Sequence, residues 1–258
     1  MAEKTTIEWT GSTWNPVTGC TKLSAGCAHC YAEAFAERFR GVSGHPYEQG
    51  FDLKLWPERL NLPLRWKQPR AVFVNSMSDL FHPRVPDAFI AAVFDVMRQA
   101  EQHTFQVLTK RPERAGRLSP TLSWPDNLWM GATVEKQAYV QRVEYLLLTG
   151  ARVKFLSCEP LLGPLQLNLN GIQWVVVGGE SGPRARRMRV EWVKDIREQC
   201  RLSNVRFFFK QWAPMMPKAI ELARRRRADF STDGLGTACL PHIQLQRECY
   251  SSEAHRMT

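Results

Sequence analysis

The chain has 258 residues, of which 44% are hydrophobic and 23% are charged, and its formal net charge at pH 7 is +10. These proportions are those of a soluble globular protein, and no apolar run approaches the ~20 residues that a membrane-spanning helix needs. A cytoplasmic protein with no place in a membrane is therefore expected, and its basic excess favours a polyanionic partner.

Short apolar strands alternate along the chain with longer helical patterns. Strands are predicted at residues 15–20, 51–55, 71–75, 104–109, 128–133, 152–157, 173–178 and 205–209. Helices are predicted between them, for example from Pro86 to Ala100 and from Val190 to Arg201, where apolar side chains recur at helical spacing. This order predicts an α/β protein with a full or partial (β/α) barrel of the TIM type and about six to eight parallel strands.

The barrel is predicted to occupy residues 1–212 as a single domain. The remaining residues, 213–258, have little strand or helix periodicity after Arg227 and are predicted to form a loosely ordered basic tail. About half of the net charge lies near this end, because residues 201–258 carry ten Lys or Arg against five Asp or Glu.

Three cysteines lie within eleven residues directly after the first predicted strand, in the sequence CTKLSAGCAHC. They are Cys20, Cys27 and Cys30, and an aromatic helical pattern begins at Tyr31. Three thiolates can hold a [4Fe-4S] cluster and leave its fourth iron open to another ligand. Zinc is the alternative, with His29 or a remote cysteine as the fourth ligand, although no second C-x2-C pair is present. A disulfide framework is disfavoured, because the seven cysteines are odd in number and follow no secretory leader.

The C-x6-C-x2-C spacing, followed by an aromatic residue, resembles the cluster loop of radical S-adenosylmethionine enzymes, whose commonest spacing is C-x3-C-x2-C. The stretches at residues 51–86 and 105–115 are similar to those of the spore photoproduct lyase-like branch of these enzymes. The phage Gp37/Gp68 family is the one that the chain resembles most. The resemblance extends over about residues 5–212 and rests on the blocks NPVTGC, NSMSDLFH, TKRPER, CEPLLGP, GGESGP and FFKQW.

The resemblance implies a barrel of the radical S-adenosylmethionine kind and a specific chemistry. Cys20, Cys27 and Cys30 would hold a [4Fe-4S] cluster, and S-adenosylmethionine would chelate the open iron. An electron donor such as flavodoxin or ferredoxin would reduce the cluster. Cleavage of the cofactor would then give a 5′-deoxyadenosyl radical that abstracts hydrogen from the substrate.

Polar side chains follow most of the predicted strands, and in a parallel barrel these positions meet at one edge. The candidates for cofactor binding are Ser76, Ser78, Asp79, Lys110 and Glu135. Asp79 has the alternative role of capping a turn, and Lys110 that of a solvated surface charge. The candidates for catalysis are Cys158, Glu159 and Glu180. Cys158 is a candidate hydrogen donor or a small buried core residue. Glu159 has the alternative of orienting an arginine, and the methionine-binding role of a GGE turn is not assigned to Glu180.

The leading hypothesis is a radical enzyme that modifies or repairs a nucleobase in DNA or RNA. Basic segments supply the candidate nucleic-acid contacts, namely Arg184, Arg186, Arg187, Arg224, Arg225, Arg226 and Arg227. Two alternatives stay open: a radical enzyme that modifies a peptide or small metabolite, and a non-catalytic zinc protein that binds nucleic acid.

Overall fold

The computed structural model describes residues 10–213. The strands are β1 Ser12–Trp14, β2 Val17–Thr18, β3 Lys54–Leu55, β4 Ala71–Val74, β5 Thr104–Thr109, β6 Leu128–Thr133, β7 Val153–Cys158, β8 Trp174–Gly178 and β9 Arg206–Gln211. The α-helices are α1 Tyr31–Ala36, α2 Asp87–Gln99, α3 Pro112–Leu118, α4 Arg142–Leu147 and α5 Val190–Leu202. Single 3₁₀ turns cover Ala25–Cys27, Glu37–Phe39, Pro57–Arg59, Pro63–Arg65, Ser119–Thr121 and Gln137–Tyr139.

Seven strands form one parallel sheet in the order β1-β4-β5-β6-β7-β8-β9. The sheet curls into an open half-barrel whose two edges are β1 and β9. The predicted α/β class and strand number are therefore confirmed, and of the predicted alternatives the described residues form the partial barrel.

Alternate residues along each strand face opposite sides of the sheet, as strand geometry requires. Val72, Val107 and Leu156 lie in the large core between the sheet and its helices, where Val93 of α2 and Ile196 of α5 pack. The opposite, concave face carries a second and mostly aromatic cluster of Phe73, Trp129, Phe155, Trp174 and Val176. This aromatic layer fills the inside of the half-barrel below the edge where the strands end.

The first two strand predictions are wrong. The first sheet strand is β1, and the chain then leaves the sheet at Asn15 and Pro16, since proline has no N–H to continue the ladder. The predicted strand 51–55 is no barrel strand: its β3 pairs antiparallel with β2 in a separate two-stranded ribbon. The other six predicted strands and both helices are confirmed at slightly shifted boundaries.

No helix within residues 10–213 is long and apolar enough to cross a membrane. The predicted tail, 213–258, lies outside the described residues except for Ala213.

Candidate functional site

Residues 20–30, which we call the thiol loop, lie over the carboxyl edge of the sheet. Gly19 immediately precedes the loop and has a φ of 80°, a conformation that favours glycine. A Cβ at this position would collide with the backbone of Asp52. The N–H of Gly19 donates to the carbonyl of Met77 at 3.0 Å, and that of Cys20 to the carbonyl of Phe51 at 3.2 Å. Glycine therefore lets the chain pass between two backbone segments and fixes where Cys20 begins.

The turn after β4 supports the loop from below. Asn75 adopts a φ of 60°, and its Oδ1 accepts the N–H of Val17 at 3.2 Å. Ser78 Oγ donates to the carbonyl of Val17 at 2.8 Å, and Ser76 Oγ donates to Asn15 Oδ1 at 3.2 Å. Both serine hydroxyls predicted to bind a cofactor therefore tie the turn to the connection after β1.

Asp79 holds the guanidinium of Arg111 next to the thiol of Cys20. Its carboxylate, 6% exposed, accepts hydrogen bonds from Thr109 Oγ1 at 2.7 Å, from the Lys110 N–H at 3.1 Å and from Arg111 Nη1 at 3.0 Å. Arg111 also donates to Cys20 Sγ at 3.6 Å and to the carbonyl of Thr21 at 3.0 Å. Burial and the Asp79 charge raise the pKa of Cys20, although Arg111 opposes them. Asp79 thus positions Arg111 rather than presenting free oxygens to the site.

Cys27 lies in a more favourable environment for a thiolate. Burial raises its pKa, but hydrogen bonds from the backbone of Leu23 and Ser24 and the charge of Lys110 outweigh burial and lower the pKa below its ordinary value. Ser24 Oγ lies 3.7 Å from Cys27 Sγ. Cys30, which is half-buried, immediately precedes α1. The pKa of Cys27 is therefore shifted in the opposite direction from that of Cys20.

Glu135 clamps the middle of the loop. Its side chain is fully buried, pairs with Arg142 Nη1 at 2.7 Å and accepts a short hydrogen bond from Ser24 Oγ. Gly26 packs so closely on this carboxylate that a Cβ would clash with it. The N–H of Ala25 donates to the hydroxyl of Tyr139 at 3.2 Å. Glu135, which was predicted to bind a cofactor, therefore holds the thiol loop in place through Ser24 and Gly26.

Glu180 clamps the far side of the loop. It is 5% exposed, and its carboxylate pairs with Arg186 at 2.6 Å and with His29 Nδ1 at 3.0 Å. Arg186 Nη2 also donates to the carbonyl of Ala25 at 2.9 Å. Burial opposes ionisation of Glu180, but the Arg186 and His29 hydrogen bonds lower its pKa to about 2.

The remaining predicted arginines have different positions. Arg186 is engaged in this pair, whereas Arg184 and Arg187 are exposed. The predicted contacts Arg224, Arg225, Arg226 and Arg227 lie outside the described residues.

Cys158 and Glu159, two predicted catalytic residues at the end of β7, lie in different surroundings. Glu159 pairs with Lys210 Nζ at 2.8 Å and accepts a hydrogen bond from Ser157 Oγ at 3.2 Å. Cys158 lies on the helix side of the sheet, fully buried in the core, and burial together with Cys200 raises its pKa well above the ordinary value. Its position favours the alternative of a small buried core residue over that of a hydrogen donor.

Several residues that hold the loop were missing from the predicted site. His82, 2% exposed, lies with Nε2 2.9 Å from Thr21 Oγ1. Arg111, Tyr139 and Arg142 contact the loop or its glutamate. Arg111 directly follows Lys110, and His82 is the last residue of the NSMSDLFH block, so the signal available for both was their closeness in sequence to a predicted site residue. Tyr139 and Arg142 carry no such signal.

The thiols suit an iron-sulfur cluster in type and number, since the five cysteines within residues 10–213 are all free. In that part of the chain no three His, Cys, Asp or Glu side chains are arranged to hold a metal ion, Cys20, Cys27 and Cys30 included. Cys20 contacts Arg111, and Cys27 contacts Ser24. Cluster binding therefore requires the three thiols to move closer together and Cys20 and Cys27 to exchange these partners for iron.

The chain matches a family model. No curated protein and no solved structure matches the chain. A family model described as "Protein of unknown function (DUF5131)" matches residues 4–241, which includes the whole half-barrel and the thiol loop. The chain therefore belongs to the DUF5131 family.

Proposed function

We propose that this protein is a radical S-adenosylmethionine enzyme that modifies or repairs a nucleobase. Cys20, Cys27 and Cys30 would hold a [4Fe-4S] cluster. The observation that carries the proposal is the position of three free thiols on one loop at the carboxyl edge of an open parallel half-barrel. When bound, such a cluster supplies the electron for reductive cleavage of S-adenosylmethionine. The resemblance of the C-x6-C-x2-C spacing and of residues 51–86 and 105–115 to radical S-adenosylmethionine enzymes supports this choice.

The polar residues at the edge divide into two groups by what they contact. Asp79, Glu135 and Glu180 are each neutralised by an arginine, and each ion pair contacts the thiol loop through one of its members, so we assign the three carboxylates as positioning residues. Lys110 has no ion-pair partner within residues 10–213, and its charge lowers the pKa of Cys27. It is the residue best placed to meet the carboxylate of S-adenosylmethionine.

The charge distribution supports a nucleic-acid substrate. The formal net charge is +10, and Arg184 and Arg187 are exposed beside the loop-holding Arg186. Basic side chains near a reactive site raise the local concentration of a polyanion. A base in a duplex would have to be unstacked to reach the site, so single-stranded substrates are expected to react more readily.

The test is anaerobic reconstitution of the full chain with iron and sulfide. We expect about four irons and four sulfides per chain, in keeping with a [4Fe-4S] cluster. Changing Cys20, Cys27 or Cys30 to Ala should remove the cluster, whereas Cys249→Ala, which alters a cysteine outside the loop, should not. The reduced protein should then release 5′-deoxyadenosine and methionine from S-adenosylmethionine. One tightly bound zinc with no iron would refute the proposal and favour the zinc alternative.

A further inference from the structure

A cavity of about 1030 Å³ opens beside the thiol loop. Its walls come from residues 83–87 at the start of α2, from 110–117 on and before α3, and from 139–145 on and before α4. Leu23 of the thiol loop, 49% exposed, forms part of the rim. The volume lies at the upper end of the roughly 300–1,000 Å³ typical of ligand pockets, so an extended ligand fits better than a small metabolite.

The cavity wall carries an excess of unpaired positive charge. Arg111, Arg114 and Arg142 are each paired with a carboxylate, whereas Arg84, Lys110 and Arg117 have no ion-pair partner within residues 10–213. The acidic lining residues are Asp87, which pairs with Arg114, and the exposed Glu113. Cations around a concave surface attract anions more strongly than the same cations on a convex face.

Two tyrosines give the cavity a second kind of recognition surface. Tyr139 and Tyr145 are both half-buried in the wall, and the Arg142 guanidinium lies 4.4 Å from the Tyr139 ring centroid. Aromatic faces next to unpaired cations are the combination that binds single-stranded nucleic acid, where bases stack on the rings and phosphates meet the cations. Duplex bases are already stacked on one another, so their faces cannot reach the tyrosines.

From these observations we propose that this cavity binds a single-stranded nucleic-acid segment, with phosphates at Arg84 and Arg117 and a base on Tyr145. The cavity continues into the thiol loop, because Leu23 of the loop lines it and Arg111, which also lines it, contacts Cys20. A bound strand therefore brings a nucleotide to the edge where the proposed reaction would occur. The link to the reaction rests on the proposed function, but the binding of the strand does not.

The test is fluorescence anisotropy with a short labelled oligothymidylate and the full chain, in air and without added iron or S-adenosylmethionine. The double variant Arg84→Gln/Arg117→Gln should weaken binding by about tenfold or more at low salt and reduce the salt slope by about 1.4. The matched control is Arg65→Gln/Arg206→Gln, which removes two exposed charges that lie outside the cavity and have no ion-pair partner within residues 10–213, and it should change affinity by less than about twofold. Tyr145→Leu should weaken binding by about fivefold or more, since stacking is lost.

Three results would overturn the inference. The first is an equal loss of oligonucleotide affinity in the cavity variant and the control variant. The second is a duplex of the same sequence that binds as tightly as the single strand. The third is polyglutamate that competes for the protein as well as unlabelled oligothymidylate does. Because the assay contains no cluster, its outcome is separable from the proposed function. If the protein binds iron but no strand, the cluster proposal is kept and the strand-binding site is refuted. If it binds the strand but no iron, the strand-binding site is kept and the cluster proposal is refuted.

Discussion

Replacing Glu135 by alanine should destabilise the protein strongly and loosen the thiol loop. Glu135 is fully buried, and its partner Arg142 is 7% exposed. The substitution leaves the guanidinium buried without a carboxylate and removes the acceptor for Ser24 Oγ. Breaking a buried ion pair by removing one partner costs about 3–5 kcal/mol, because the remaining charge stays desolvated.

The cost should fall near the lower end of that range, about 3 kcal/mol. Arg142 keeps a hydrogen bond from Nη1 to the carbonyl of Thr133 at 2.8 Å and its contact with the Tyr139 ring at 4.4 Å. At roughly 2–4 °C per kcal/mol for a domain of this size, the melting temperature should fall by about 6–12 °C.

Urea unfolding followed by far-ultraviolet circular dichroism measures the free energy, and iodoacetamide alkylation of Cys27 reports on the loop. The matched control is Glu144→Ala, which removes an exposed glutamate on α4 and should cost less than about 0.5 kcal/mol. A loss below about 1 kcal/mol for Glu135→Ala, or unchanged alkylation of Cys27, would refute the assignment of Glu135 as the clamp of the loop.

Two further predictions concern Glu180 and the concave face. The pKa of Glu180 falls from 4.5 to about 2 on folding, so its contribution is present above pH 4.5 and is lost as the pH falls towards 2. Glu180→Gln should therefore cost roughly 2–3 kcal/mol in urea unfolding at pH 7 and much less near pH 2, and a pH-independent cost would contradict the pairing. A Cβ on Gly131 would run into the buried Phe155 ring, so Gly131→Val should lower stability by about 1–3 kcal/mol. Calorimetry checks this against Gly163→Val, at a loop glycine that has open space around its Cβ position, which should cost less than about 0.5 kcal/mol. Equal costs would mean that the concave face is not tightly packed.

The sheet strands from β4 onward were predictable because each is a compact apolar run that ends in polar residues. Lys110, Glu135 and Glu159 follow the ends of β5, β6 and β7, so their position at one edge follows from the parallel order of these strands. The start of the sheet was not predictable in the same way. NPVTGC, residues 15–20, was predicted as one strand of the sheet. The sheet strand β1 instead ends at Trp14, before Pro16, and the block contains only the ribbon strand β2.

The roles of the carboxylates could not be predicted from one sequence. His29 and Glu180 are 151 residues apart in the chain, and Ser24 and Glu135 are 111 residues apart. No local pattern links such pairs, because the fold alone brings them together. The sequence correctly predicted that these carboxylates follow the strands at one edge of the sheet. It did not predict that an arginine neutralises each of them, namely Asp79, Glu135 and Glu180.

The arrangement of charge around the thiol loop indicates which substitutions report on ligand binding. Asp79, Glu135 and Glu180 each form an ion pair with an arginine, and in each pair at least one member contacts the loop, at Thr21, Ser24 or Ala25. These three pairs are locally neutral, so their main effect on the thiols is through geometry. Lys110 has no such partner in the described part of the chain, and its charge acts on Cys27 directly. Three thiolates on one loop repel one another, and an unpaired cation beside them reduces that cost. Substitutions in the three pairs should therefore change loop stability and ligand binding together, whereas Lys110→Gln should change ligand binding with little effect on stability.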